Sequence, residues 1–351
     1  LKIMKKLIFA AFAAGAMVLA GCTKTEVTKV SESRAIQFDN FVSNAVKSEL
    51  TTESISKFYV YGGYADNYDL FNGEEVTKNG NSWNYTTRYW IDETTDYNFA
   101  AYSDGGNKAT ATIALESTNN KHLNLTGYTL DNGDRDLVYA YQSEICYNDY
   151  TGTVDLTFYH ILSKLVFQFT ADESLQDITL TFSDIKLNNV NTVADFKGQV
   201  VDGNQIKYAA WSNWNTTTTA IENFTSTTNT NFQITGATEQ NSFTTDPKFM
   251  IPQEVPITEE NKFTLSFSVS VTGENADDYK ISTTDPYNFS IELPVPTDKT
   301  QWEPGFSYIY AASLSVFNFN DQLKPIVFDQ ITVGGWETDI NTDVDDILVN
   351  E

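Results

Sequence analysis

Disulfides, histidines, basic charge and long apolar runs are all scarce in this chain. Its 351 residues hold two cysteines, Cys22 and Cys146, so no disulfide framework is available and packing has to supply stability. Two histidines, His122 and His160, are too few for most metal or acid–base constellations, and neither lies near a Ser or Cys in a nucleophile elbow. The longest apolar run, Leu7 to Val18, falls short of the roughly 20 residues that a bilayer-spanning helix needs. Basic residues number 22 against 47 acidic ones, for a net charge of -25. Nucleic acid and anionic membrane surfaces would repel such a chain, which excludes both as partners. There is no Gly-rich phosphate loop and no Cys or His pair at metal spacing, so no cofactor or metal is expected.

The amino terminus carries the clearest instruction. Lys5 and Lys6 precede the apolar stretch Leu7–Val18, which ends in Leu19-Ala20-Gly21-Cys22. This is the layout of a bacterial lipoprotein signal, with residues 1–21 removed and Cys22 acylated. Lipid would then anchor the chain in the outer membrane, facing the cell surface, since each buried methylene contributes about 0.8 kcal/mol. Met4 before the two lysines is the natural start. With Lys2, Lys5 and Lys6 gone, the chain from Cys22 onward carries -28. Residues 22–34 are polar and without pattern, a tether between lipid and fold.

Beyond the tether, apolar and polar residues alternate at period two. The pattern recurs at Ile36–Phe38, Phe58–Tyr61, Thr110–Leu115, Val154–Phe158, Leu165–Phe169, Ile178–Phe182 and Phe263–Val269. Turn clusters such as Asn79-Gly80-Asn81 and Asp131-Asn132-Gly133-Asp134 separate the segments. Only Asp172–Asp177 hints at a helical turn. The expectation is an all-β chain of antiparallel β-sandwiches, with one domain over 35–170 and a second over 171–351. The Thr/Asn-rich stretch Ser212–Thr230 reads as a long surface loop. Cys146 reads as a small core residue.

Candidate chemistry is thin. Asp131–Asp136 and Asp343–Asp346 have the look of hard-cation ligands, but neither fits the spacing of an EF-hand loop. The aromatics Trp83, Tyr85, Tyr89, Trp90, Tyr97, Phe99 and Tyr102 could form a sugar-binding platform or a packed core.

The order of several motifs resembles the fimbrillin family, lipoprotein-derived subunits of anaerobe pili. They are Ser82-Trp83-Asn84-Tyr85, Tyr89-Trp90, Tyr97–Tyr102, Phe158–Leu165, Phe249-Met250-Ile251-Pro252-Gln253, Trp302–Tyr308 and Trp336, all behind the lipid signal. Physically they are structural: Pro304-Gly305 fits a tight turn, Pro252 a strand end, and His160 a hydrogen bond between the halves.

The resemblance implies two tandem transthyretin-like domains, a non-enzymatic fimbrial role at the cell surface, and other fimbrial subunits as partners. It also implies assembly by donor-strand exchange, in which a protease removes the first strand and another subunit's strand fills the vacancy. A cut between Lys47 and Ser48 would detach the first strand. A cut between Arg34 and Ala35 would remove only the tether. The matching donor would be the carboxyl end, with Ile340, Thr342, Val344 and Leu348 on one face and Asp346 interrupting the pattern. The competing expectation is a single-chain surface lipoprotein that binds glycans through its aromatics.

Overall fold

A computed structural model describes residues 34–335, apart from 43–53, 66, 106–108, 116–122, 151, 176–177, 199–209, 216–217, 237–240, 257–260, 274–278, 280–285, 297–298 and 321. In the first half lie β1 (Gln37–Val42), β2 (Lys57–Tyr64), β3 (Asn67–Asn79), β4 (Ser82–Asn84), β5 (Tyr97–Ser103), β6 (Thr112–Leu115), β7 (Leu123–Thr129), β8 (Val138–Ile145), the single helical turn α1 (Tyr147–Tyr150) and β9 (Thr153–His160). The second half holds β10 (Ser163–Ala171), β11 (Ile178–Val190), β12 (Val193–Lys197), β13 (Ala210–Ser212), β14 (Thr219–Ile221), β15 (Gln233–Thr235), β16 (Ser242–Thr244), β17 (Lys248–Met250), β18 (Thr264–Gly273), β19 (Tyr287–Glu292), β20 (Phe306–Leu314), α2 (Val316–Phe319) and β21 (Gln330–Gly335).

Every apolar alternation read from the sequence lies in or overlaps a strand. In β10 the odd-numbered residues from Ser163 to Ala171 are buried while those between are half-buried, and Leu265, Phe267, Val269 and Val271 of β18 repeat the pattern. Period-two burial is what a strand with one face on a core produces. The expected helical turn at 172 is a plain turn, held by the Asp172 carboxylate accepting from the Ser174 amide at 2.8 Å.

The strands form four sheets. The first runs β1-β9-β8-β5-β2-β3-β4, and a second, β13-β12-β7-β6, packs on it through Tyr139 against Phe196 at 5.2 Å between ring centroids. The third and fourth, built on β16-β10-β20-β21 and β14-β11-β18-β19, face each other through Phe169, whose ring lies 5.2 Å from those of both Phe182 and Phe267. Among the described residues pairing is antiparallel except for β1 with β9 and β10 with β20.

Sheet pairing crosses the boundary expected near residue 170 in both directions. The strand expected to close the first domain, β10, instead runs parallel to β20, which pairs Leu165 through Ala171 with Tyr308 through Leu314. Conversely β12, from the second half, pairs with β7, and β13 pairs with β12, so that both complete the first sandwich. The Ser212–Thr230 stretch is likewise no loose surface loop. Ile221, Phe224, Ser226 and Asn229 are buried within it, and the Asn229 side chain ties off the turn by accepting from the Gln233 amide at 3.1 Å.

The first sheet is buried on both faces. Tyr59, Tyr61, Tyr102 and Tyr139 point into the large core shared with the other sheets. Phe58, Val60, Phe99, Ala101, Val138 and Ala140 point the other way, into a second core that also holds Ile36, Phe38 and Trp90. Strands β2 and β5 approach so closely that a Cβ at Gly62 would sit 2.1 Å from the Asn98 carbonyl oxygen, and its φ of +137° bars other residues as well.

Candidate functional site: the β1 groove

Strand β1 ends the first sheet and lies parallel to β9, Gln37 opposite Thr153 and Val42 opposite Phe158. Alternation puts Gln37 and Asp39 in solvent and sends Ile36 and Phe38 into the second core. Phe38 is enclosed by four rings. Its centroid lies 5.2 Å from Phe71, 5.2 Å from Tyr85, 5.7 Å from Phe99 and 6.2 Å from Phe58, each edge to face. That geometry sets the positive edge of one ring against the negative face of the next, and each pair contributes about 0.5–1.5 kcal/mol beyond burial.

The residues leading into β1, Arg34 to Ile36, are held as well, by the segment Tyr85–Trp90 that lies between β4 and β5. The Trp90 amide donates to the Arg34 carbonyl at 3.0 Å, and the Ile36 amide to the Arg88 carbonyl at 2.8 Å. Ala35 bridges Tyr89. The Tyr85 hydroxyl donates to the Ile36 carbonyl at 2.7 Å, while the Phe38 N–H faces the Tyr85 phenolic oxygen. Burial raises the Tyr85 pKa while that N–H pulls it down. Trp90, fully buried, reaches across to donate its indole N–H to the Gly152 carbonyl at 3.3 Å, next to where the Gln37 amide also donates at 2.9 Å. Residues 34–36 are thus held by the strap, and β1 from Gln37 onward by β9.

The sequence marked Ser82–Tyr85 and Tyr89-Trp90 as motifs without revealing that they clamp β1. Long-range pairing of an irregular segment leaves no periodic signal. Trp90, Tyr97, Phe99 and Tyr102 are buried, so that part of the aromatic run is core rather than platform. Of the processing candidates, Arg34 and Ala35 lie in the clamped segment. Cys22, Lys47, Ser48, Ile340, Thr342, Val344 and Leu348 lie outside the described residues, as do His122, Trp336 and the 343–346 acidic run.

A second constellation joins the halves. In the β7–β8 turn, Asn132 exchanges two hydrogen bonds with the Glu222 backbone, at 2.8 and 2.9 Å. The Gly133 carbonyl accepts from the Phe249 amide at 2.7 Å, and Asp134 pairs with buried Lys248. Arg135 lies 3.5 Å from Asp104 and 3.3 Å from Asp131, while Asp136 meets His160 at 2.8 Å. The acidic turn read as cation ligands therefore faces the chain's own Arg135, Lys248 and His160. Asp104 is buried and its pKa is pushed up to about 7 by desolvation, with Arg135 opposing and Asp136 and Asp131 adding to the rise.

His160, expected to bond between the halves, meets Asp136 inside the first half. Of the residues that follow it, Ile161 accepts from the Trp211 indole at 2.8 Å across the halves, while Leu162 accepts from the Gly305 amide at 2.8 Å and Ser163 donates to the Glu303 carbonyl at 2.9 Å within the second. Gly305, at φ +72°, makes the tight turn that Pro304-Gly305 requires. Cys146 is half-buried rather than core. Its thiol donates to the Asp149 carboxylate at 3.1 Å, which raises its pKa.

A sequence profile of the family described as fimbrillin-like matches residues 34–336. A search of curated proteins finds no match. Among solved structures, the chain is similar to a fimbrial protein from Bacteroides vulgatus ATCC 8482, at 18% identity and a TM-score of 0.58, with 86% of this chain and 99% of that chain covered. It is also similar to the fimbrial anchor protein Mfa2 from Porphyromonas gingivalis, at 11% identity and a TM-score of 0.35, with 86% of this chain and 98% of that chain covered. The first likeness establishes a shared fold.

Proposed function

This chain belongs to the fimbrillin-like family, and from that premise we propose that it is a structural or adhesive subunit of a cell-surface fimbria, assembled by donor-strand exchange. The observation that carries this reading is the construction of β1. It is an end strand, so its departure leaves the other strands of the sheet paired, yet it places Ile36 and Phe38 in a core. Burying two such side chains contributes about 1.5–3 kcal/mol each. An emptied groove would therefore bind a replacement strand strongly.

The order of events follows from chain position. Export as a lipoprotein acylates Cys22 and brings the precursor to the outer membrane. Cleavage between Lys47 and Ser48 severs β1 from β2. Cleavage between Arg34 and Ala35 would leave β1 attached, because the clamp from the Tyr85–Trp90 strap and the link to β2 both persist. The segment bearing Ile340, Thr342, Val344 and Leu348 then serves as donor to a neighbouring subunit. The protein is not an enzyme, and its partners are other fimbrial subunits.

The test is the amino-terminal residue of the protein in filaments sheared from the producing cell. A start at Ser48 supports strand removal and exchange. An acylated start at Cys22, with none of the protein in the sheared fraction, would overturn the subunit reading in favour of a single-chain surface lipoprotein.

A further inference from the structure

The strand that now fills the groove reports what the groove selects. Resting on the exchange reading above, we infer that a strand replacing β1 must carry an aliphatic residue followed two positions later by an aromatic ring, and that residues 337–351 of a second copy of this chain do not supply it.

Three observations lead there. First, the Phe38 site is shaped by rings. Phe58, Phe71, Tyr85 and Phe99 surround it edge to face at 5.2–6.2 Å, and Phe38 itself is 6% exposed. An aliphatic side chain there would leave a void against four ring surfaces and lose every quadrupole contact. Second, the register of any occupant is fixed. The strap offers the Arg88 carbonyl, the Trp90 amide and the Tyr85 hydroxyl on one side, and β9 offers its ladder on the other. A slip of one residue would turn the ring out to solvent. Third, the proposed donor segment, residues 337–351, does not meet the requirement. Residues 337–351 contain no aromatic, and Trp336 is preceded two positions earlier by Gly334, which already pairs with Ser307 in the β20–β21 ladder. The tail therefore suits an acceptor other than a second copy of this chain.

The experiment uses the full mature chain with a site-specific protease sequence built into 43–50. After cutting, β1 stays in place by noncovalent contacts alone. Labelled peptides are then offered in excess, and retention is measured by size exclusion. The peptide 34–47 is expected to exchange in. Its Phe38→Leu form should need at least tenfold more peptide for equal retention, and the tail peptide 336–351 should not be retained at the same concentration. Changing Thr342→Phe in the tail peptide creates the aliphatic-x-aromatic pattern after Ile340 and should restore retention. Equal retention of the Phe38→Leu or the unmodified tail peptide would overturn aromatic selection and leave exchange standing. Retention of none, the 34–47 peptide included, would overturn exchange and the selection rule together.

Discussion

At the scale of single residues, Phe38 and Asp104 carry opposite kinds of cost. Phe38 is apolar and caged, so Phe38→Ala should remove about 3–5 kcal/mol of stability by loss of burial and creation of a cavity, read from the denaturant midpoint of the uncut chain. Asp104 is ionisable and buried. With its pKa pushed up to about 7, the folded chain keeps a proton that the unfolded chain releases near the ordinary carboxylate value. Its contribution is present at low pH and is lost as pH rises toward 7. Asp104→Asn cannot titrate, so its thermal midpoint should gain on that of the parent between about pH 4 and 7 and hold a constant difference above that range. A difference that stays flat across pH 4–7 would show that Asp104 does not titrate there. Neither role was legible in the sequence. Phe38 was visible as the inward residue of an alternating strand, but the four rings come from three distant segments, and Asp104 was one acid among 47.

At the scale of elements, the strap and β1 act as a pair. Tyr85 contributes to the clamp a hydroxyl that a phenylalanine lacks, so Tyr85→Phe should weaken β1 by about 1 kcal/mol. In a chain cut between β1 and β2, the variant should release β1 several-fold faster, measured by hydrogen exchange at the Phe38 amide. An unchanged rate would mean that the ring of Tyr85, not its hydroxyl, holds the strand. The seven alternating segments were legible because one-faced burial writes a period of two into the sequence, as in Leu165-Val166-Phe167-Gln168-Phe169. The strap was not, since it has no regular period. The Ser212–Thr230 stretch misled for the converse reason: the Asn229 side chain bonds to the Gln233 backbone while Ile221 and Phe224 hold the stretch on the core.

At the scale of the whole molecule, the two sandwiches share material. A fragment covering residues 34–170 would lack β12 and β13, leaving β7 unpaired on one edge and Tyr139 without Phe196. It would also hold β10 without β20. Such a fragment should show no cooperative thermal transition, whereas the mature chain should melt cooperatively. A sharp transition in the fragment would show that the first sandwich is self-sufficient. The Asn132–Glu222 exchange, the Gly133–Phe249 bond and the Lys248–Asp134 pair add further ties across the same boundary.

The sequence by itself determined the all-β class, the positions of the seven alternating strands and the expectation of export, because burial periodicity and signal layout are local properties of adjacent residues. It also carried the family motifs in order. Tertiary structure alone decided that β10 joins the second sandwich and that β12 and β13 complete the first. It also decided that the Tyr85–Trp90 strap and four rings make β1 a fitted, clamped strand. Those outcomes depend on which distant segments meet, and alternation along one strand is the same whichever partner lies beside it.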